Sequence, residues 1–393
     1  MSTTIIITLC VLVLIAYLFD LTAPKTRIPS VILLLLLGWL MRQLTDYLNI
    51  HIPDLNPILP ALGTIGLILI VLEGSLELEL NRSKIPIVRK SILVALFPML
   101  AMAFGVAIVL THFGYFDFHQ NLINIIPICV ISSAIAIPSA KSLAKRDREF
   151  VIYESSISDI LGVLFFNLIA LNEVFDFSTL GNFFLQILLI TLISFVATIG
   201  LTILLSRIKH HIKFVPIILL VILIYAISKL YHLPGLIFIM LFGLFLGNLK
   251  GLGTIEWLKR YHPERLTGDV HKFSELITEG TFLVRALFFL LFGYLINTSE
   301  LLDPSTMYWS VGFTTGIFLL RGIQLALFKL PFFPLLFIAP RGLITILLFL
   351  SIPTSQMLPI FSQSLILQVI IITAMVLMLG MIFTKKLESP KQN

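Results

Sequence analysis

The sequence predicts an all-α polytopic membrane protein with about 13 transmembrane helices, and three observations carry that reading. Of 393 residues, 58% are hydrophobic and only 12% charged, too little polar surface to cover a water-soluble globule of this size. The apolar residues come in runs of about 20, the length that crosses a hydrocarbon core as a helix. The runs also lack the ten-residue alternation of barrel strands, which leaves the helix as the element that satisfies its own backbone in lipid.

The apolar segments centre on residues 3–19, 30–47, 57–76, 91–111, 122–142, 150–171, 181–205, 213–230, 234–249, 280–297, 305–327, 332–352 and 361–384. The first begins without Lys or Arg, so it reads as a span and not as a cleaved signal. With the N-terminus outside and the C-terminus cytoplasmic, 22 of the 27 basic residues fall in inner loops, Lys84, Arg89, Lys141, Arg148, Lys213, Lys329 and Lys385 among them. The outer loops keep only Arg42 and Lys229. Thirteen spans therefore obey the positive-inside rule at every loop, as expected of a multi-pass protein of the cell (inner) membrane. Topology also accounts for the formal charge of +6, so no nucleic-acid partner is expected; the partner is the lipid bilayer.

Cys10 and Cys129 fall inside apolar runs and read as small packing residues. The longest polar stretch, residues 250–279, carries Ile255, Trp257, Leu258, Tyr261 and Leu266 among its charges. It reads equally as a surface-lying cytoplasmic connection or as a plain linker. No low-complexity run or soluble regulatory domain interrupts the chain, so residues 1–393 read as a single transmembrane domain.

Six charged residues lie within the spans: Arg285, Arg321, Arg341, Glu73, Glu154 and Asp159. A charge at bilayer depth costs at least roughly 2.5–3.5 kcal/mol, so each needs a partner, a cavity or a function. The segment Glu154-Ser-Ser-Ile-Ser-Asp159 is the most informative. On a helix Ser155 and Asp159 share one face, with Glu154 and Ser158 on an adjacent one, which makes a stripe of carboxylates and hydroxyls. Asp159 falls near mid-membrane, where a carboxylate can exchange a proton for a small hard cation. Glu154 and Arg321 fall at matching depths and suit a structural ion pair. Glu73 reads either as a cation ligand or as an acid near the inner interface, and Arg285 as a residue that snorkels to the inner surface.

Two spans carry the marks of interruption. Ile131-Ser-Ser-Ala-Ile-Ala-Ile-Pro138 places paired hydroxyls and a proline in one, and Ala339-Pro-Arg-Gly342 places a proline, a charge and a glycine in another. Paired broken helices that meet at the midplane are a means of building an ion site without a cofactor.

On these residues the chain resembles the sodium/proton exchangers of the monovalent cation:proton antiporter superfamily, NhaP-like, over nearly its whole length. Glu154-Ser155 followed by Asp159 is similar to the family's sixth-helix motif, in which the aspartate carries cation and proton in turn. Arg321 in Phe318-Leu-Leu-Arg321 matches the arginine that pairs with the family's glutamate, Pro340-Arg341-Gly342-Leu343 its Arg-Gly motif, and Leu72-Glu73 its third helix. Two positions depart from the pattern. Ser132-Ser133-Ala134 stands where the fifth helix usually reads Thr-Asp-Pro, so a second carboxylate is missing, and Ser158 precedes the aspartate where the family has Asn or Asp. A neutral residue there resembles the electroneutral branch.

The resemblance implies an inverted-repeat antiporter fold with two unwound crossing helices. It further implies a mobile core of about residues 89–175 and 304–385, and a dimerisation platform of about residues 1–88 and 176–303 that makes a homodimer. The expected activity is exchange of Na+ or K+ for a proton at Asp159, with Ser155, Ser158, Ser132, Ser133 and Glu73 around the ion and with no cofactor. The alternative is a channel or organic-anion symporter on a similar scaffold, with Arg341 binding the substrate carboxylate. An enzyme is not expected: the spans hold no Gly-x-Ser-Gly, Gly-x-Gly-Asp or His-Glu-x-x-His sequence.

Overall fold

The computed structural model describes residues 2–26, 28–50, 54–55, 57–78, 84–170, 172, 177–208, 212–231, 233–249 and 263–388, and every regular element among them is helical. In chain order these are α1 (Ser2–Thr26), α2 (Ser30–Tyr47), α3 (Ile58–Glu77), α4 (Ile85–His112), α5 (Phe118–Cys129), α6 (Ser133–Ala140), α7 (Lys145–Ala170), α8 (Phe177–Arg207), α9 (Phe214–Leu230) and α10 (Leu236–Gly247). The series continues with α11 (Pro263–Leu295), a single helical turn at Thr298–Leu301, α12 (Pro304–Leu327), a 3-10 turn at Leu335–Phe337, α13 (Leu343–Leu350) and α14 (Gln363–Glu388).

Among the described residues ten passes are long and apolar enough to cross a bilayer, α5 and α6 together forming one of them. The shorter apolar helices α9 and α10 and the interrupted pass ending in α13 complete the thirteen. Local chemistry marks several starts. Asp117 accepts from the Gln120 amide at 3.4 Å, and Asp303 accepts from the Ser305 amide at 3.0 Å with Pro304 at the first helical position.

The polar stretch 250–279 resolves differently from either expectation. Residues 250–262 lie outside the described residues, but from Pro263 onward the stretch is the first half of α11. With 33 residues this helix runs for about 50 Å, well past the ~30 Å hydrocarbon thickness, so its charged end needs no bilayer burial. Lys213 holds that end to the start of α9 through Asp269, at 2.5 Å.

The helices pack in two sets. In one, α4 lies on α5 and α7, α6 on α7, α12 on α4 and α14, and α13 on α5. In the other, α11 packs on α2 and α3, α10 on α3 and α8, and α9 on α8 and α10. Gly38 and Gly293 let α2 and α11 meet backbone to backbone: a Cβ on either would collide with main-chain atoms of Leu290 or Leu35. The sets meet where α3 lies against α6, α7 and α13.

Both interrupted passes are in the first set. Between α5 and α6, residues 130–132 leave the helix, Val130 and Ser132 being extended, several residues before Pro138, which sits in the last turn of α6. In the other pass a single 3-10 turn, Leu335–Phe337, is followed by irregular backbone up to Gly342, where α13 begins. The breaks cross each other, the Ser132 amide donating to the Pro340 carbonyl at 2.9 Å. Gly342 eases this approach, since a Cβ there would stand 2.7 Å from Ile135 Cδ1 and 2.9 Å from Ser132 Oγ and push those side chains aside.

Candidate functional site at the crossing of two broken helices

The first break is held open by three successive amides that find acceptors outside their own helix. Ile131 N donates to Ser158 Oγ at 3.0 Å, Ser132 N to Pro340 O, and Ser133 N to Asp159 Oδ2 at 3.3 Å. A backbone amide in lipid must be paired, so irregular chain survives at this depth only because these partners exist. Ser158 and Asp159, adjacent on α7, thus support the break and line it at once.

Asp159 is 2% exposed. Its Oδ2 accepts from both the amide and the hydroxyl of Ser133, at the N-terminus of α6, where the helix dipole favours negative charge. Among the described residues its Oδ1 has no hydrogen-bond partner, and neither does the buried Ser132 hydroxyl. None of the ion pairs among the described residues includes Asp159. Ser133 is thus the residue that touches the Asp159 carboxylate, through both its amide and its hydroxyl.

Arg341 stands at the opposite helix end. Its Nε donates to Ile128 O at 2.6 Å, in the last turn of α5, its Nη1 to Ala339 O at 3.2 Å, and its amide to Thr373 Oγ1 at 3.1 Å. The guanidinium thus caps the C-terminus of one half-helix while Asp159 faces the N-terminus of the next, each complementing the local dipole. A cavity of about 20 Å³, room for a single water, lies against the break and is lined in part by Ser158, Cys129, Arg321 and Arg341.

Glu154 and Arg321 form a buried bidentate pair on the α4 side. Arg321 Nη1 meets Oε1 and Nη2 meets Oε2 at 2.8 Å, while Nε donates to Leu335 O at 3.1 Å. Gln324 adds a donor to Oε1 at 3.2 Å and another to Val94 O at 2.7 Å. Sequence reasoning passed over Gln324. The available signal was its place three residues after Arg321, on the same face of an apolar span.

Two expected site residues stand apart from Asp159. The Ser155 hydroxyl donates to Val151 O of its own helix at 2.7 Å. Glu73 is half-buried on α3, with Arg285, Glu77 and Lys141 as its charged neighbours. Arg285 does not snorkel to the surface. It is 9% exposed and pairs with Asp20 of α1 at 3.5 Å, and Asp20 also accepts from Ser30 Oγ at 3.1 Å. Asp20 was missed because the first apolar segment was closed at residue 19, although the helix continues to Thr26.

This architecture agrees with the comparisons. Two structures of the sodium proton antiporter MjNhaP1 from Methanocaldococcus jannaschii are similar to it, one at pH 8 with a TM-score of 0.67 and 20% identity, covering 98% of this chain and 97% of that one. The other, from electron microscopy, has a TM-score of 0.66 and 19% identity, with coverage of 98% and 96%. At this identity the likeness establishes the fold. No curated protein sequence gives a match. The sequence itself matches the family described as the transmembrane sodium/hydrogen exchanger over residues 10–387, so the chain belongs to that family of cation:proton exchangers.

Proposed function

We propose that this protein exchanges Na+ or K+ for a proton by competition at one carboxylate, that of Asp159. The observation that carries the reading is the pairing of Asp159 with neutral groups only. A buried ionised carboxylate without a fixed cation is costly, and either a proton or a bound metal cation removes that cost. Its free Oδ1, the Ser132 hydroxyl and the Ser133 hydroxyl are hard oxygens of the kind alkali cations prefer. Ser158 acts from the same helix by holding the break open, while the Ser155 hydroxyl is engaged by Val151 of its own helix.

One proton replacing one monovalent cation moves no net charge, so the cycle is electroneutral, in keeping with the single carboxylate at the crossing. The set of helices around the crossing, about residues 89–175 and 304–385, is the mobile core. The remainder is the platform through which a homodimer forms in the cell membrane, with the basic loops on the cytoplasmic side. MjNhaP1, named as a sodium proton antiporter, supports sodium as one cargo. The organic-anion alternative loses support because the Arg341 guanidinium is already engaged by backbone carbonyls.

The test is Asp159→Asn in proteoliposomes, read by dissipation of a pH gradient with each alkali cation in turn. Loss of cation-dependent proton movement is expected, whereas retained exchange removes Asp159 from the mechanism.

A further inference from the structure

Charge is unbalanced at Arg341. The residue is 4% exposed, and none of the ion pairs among the described residues includes it. A guanidinium keeps its proton at any ordinary pH, so this charge, unlike that of a carboxylate, is permanent. The C-terminal end of α5, where Nε meets the Ile128 carbonyl, offsets roughly half of it through the helix dipole. The remaining half, roughly, lies at bilayer depth, where an uncompensated charge is costly. Glu154 does not supply the balance, because both its oxygens are spent on Arg321 and one of them also on Gln324.

Three residues with unspent donors border one space beside it. Nε and Nη1 of Arg341 are taken by the Ile128 and Ala339 carbonyls, but Nη2 makes no hydrogen bond among the described residues. Ser158 Oγ accepts from the Ile131 amide, and its own proton has no acceptor among the described residues. The Ala339 amide, in the irregular backbone before α13, likewise finds no acceptor there. Arg341, Ser158 and Ala339 all line the cavity of about 20 Å³ against the break, with Arg321, Gln324 and Cys129. The Cys129 thiol is turned to its own helix, donating to Ile125 O at 3.4 Å. A space of this volume admits one water or one ion of similar size, and no organic carboxylate. Water asks for acceptors as well as donors, whereas an anion asks only for donors and positive charge.

We propose that this cavity is a binding site for one small monovalent anion, chloride in ordinary salt solution, held by Arg341 with the Ser158 hydroxyl and the Ala339 amide. The anion is a resident counter-ion and not cargo. It stays with Arg341 while Asp159 exchanges its proton and its cation, so the one-for-one stoichiometry is unchanged. In the loaded states, with Asp159 neutralised, it removes the charge that Arg341 would carry through the movement of the core. That consequence rests on the exchange reading; the binding itself does not.

The experiment is equilibrium dialysis of the purified full-length protein against radiolabelled chloride, with sodium gluconate holding the ionic strength and Tm recorded for each variant. Saturable binding of one chloride per chain is expected, displaced by bromide but not by sulfate, which the cavity is too small to admit. Arg341→Gln should abolish binding, and Ser158→Ala should weaken the apparent Kd about tenfold, the factor for about 1.4 kcal/mol. Ala95→Leu fills the cavity from α4 without removing a donor, and should abolish binding as well. No saturable binding, the result for a cavity that takes only water, overturns the proposal. So does displacement by sulfate as readily as by bromide, the mark of an adventitious surface site, or binding undiminished by Arg341→Gln. Should Arg341→Gln not fold, Ala95→Leu and Ser158→Ala decide, and undiminished binding in both counts against the site. Asp159→Asn separates the two levels: exchange retained there defeats the exchange reading, whereas chloride binding lost there defeats this inference.

Discussion

Glu154 and Asp159 share one helix and one chemistry and are equally withdrawn from water, at 1% and 2% exposure, yet they are built into different surroundings. Glu154 meets a guanidinium with both oxygens and a carboxamide with one of them. Asp159 meets a hydroxyl and an amide with one oxygen and, among the described residues, nothing with the other. A permanent counter-ion fixes a buried carboxylate in its charged state, which suits a scaffold. Neutral partners leave the charge to be balanced by whatever mobile cation arrives, which suits a carrier. Burial alone does not distinguish the two roles; the partner does.

The contrast breaks most sharply at Arg321. Arg321→Ala leaves Glu154 buried and unpaired, and should cost about 3–5 kcal/mol, read as a fall in Tm and in monodisperse yield. Replacing both partners, Glu154→Met with Arg321→Met, should recover most of that loss and retain exchange; a folded but inactive double variant would give the pair a part in transport. Ser133→Ala acts on the other carboxylate. It removes a hydrogen bond to a charged group worth about 1.5–3 kcal/mol, so the apparent KM for the cation should rise about tenfold, with a fall in Tm smaller than that of Arg321→Ala.

Smaller effects sharpen the same comparison. Gly342→Ala forces a methyl against Ile135 and Ser132, an overpacking that costs about 1–3 kcal/mol and should slow turnover by spreading the crossing. Ser155→Ala should change least, under about 1 kcal/mol in either stability or affinity, because its hydroxyl is spent on Val151. A KM shift as large as that of Ser133→Ala would put Ser155 in direct contact with the ion.

The spans were legible because each crossing of a bilayer demands its own run of apolar residues, and the runs are separated by charged loops. The second break was legible too, since proline, arginine and glycine together at 340–342 cannot continue an ordinary apolar helix. The first break was marked by the paired hydroxyls at 132–133 and by Pro138, but what holds it open was not legible: the chain opens at 130–132, where the Ser158 hydroxyl, the Asp159 carboxylate and the Pro340 carbonyl take the freed amides. Those acceptors are remote in sequence, and no local pattern announces them. The depths of Glu154 and Arg321 made their pairing legible, whereas Arg285 was misjudged because its partner Asp20 belongs to the first helix, some 265 positions away.

The central claim is that cation and proton share one carboxylate, and proton release on cation binding tests it most directly. Purified protein in weakly buffered detergent solution, titrated with Na+ while the pH is followed, should release one proton for each cation bound, and Asp159→Asn should release none. Cation binding without proton release, or equal release from the Asp159→Asn variant, would contradict the account.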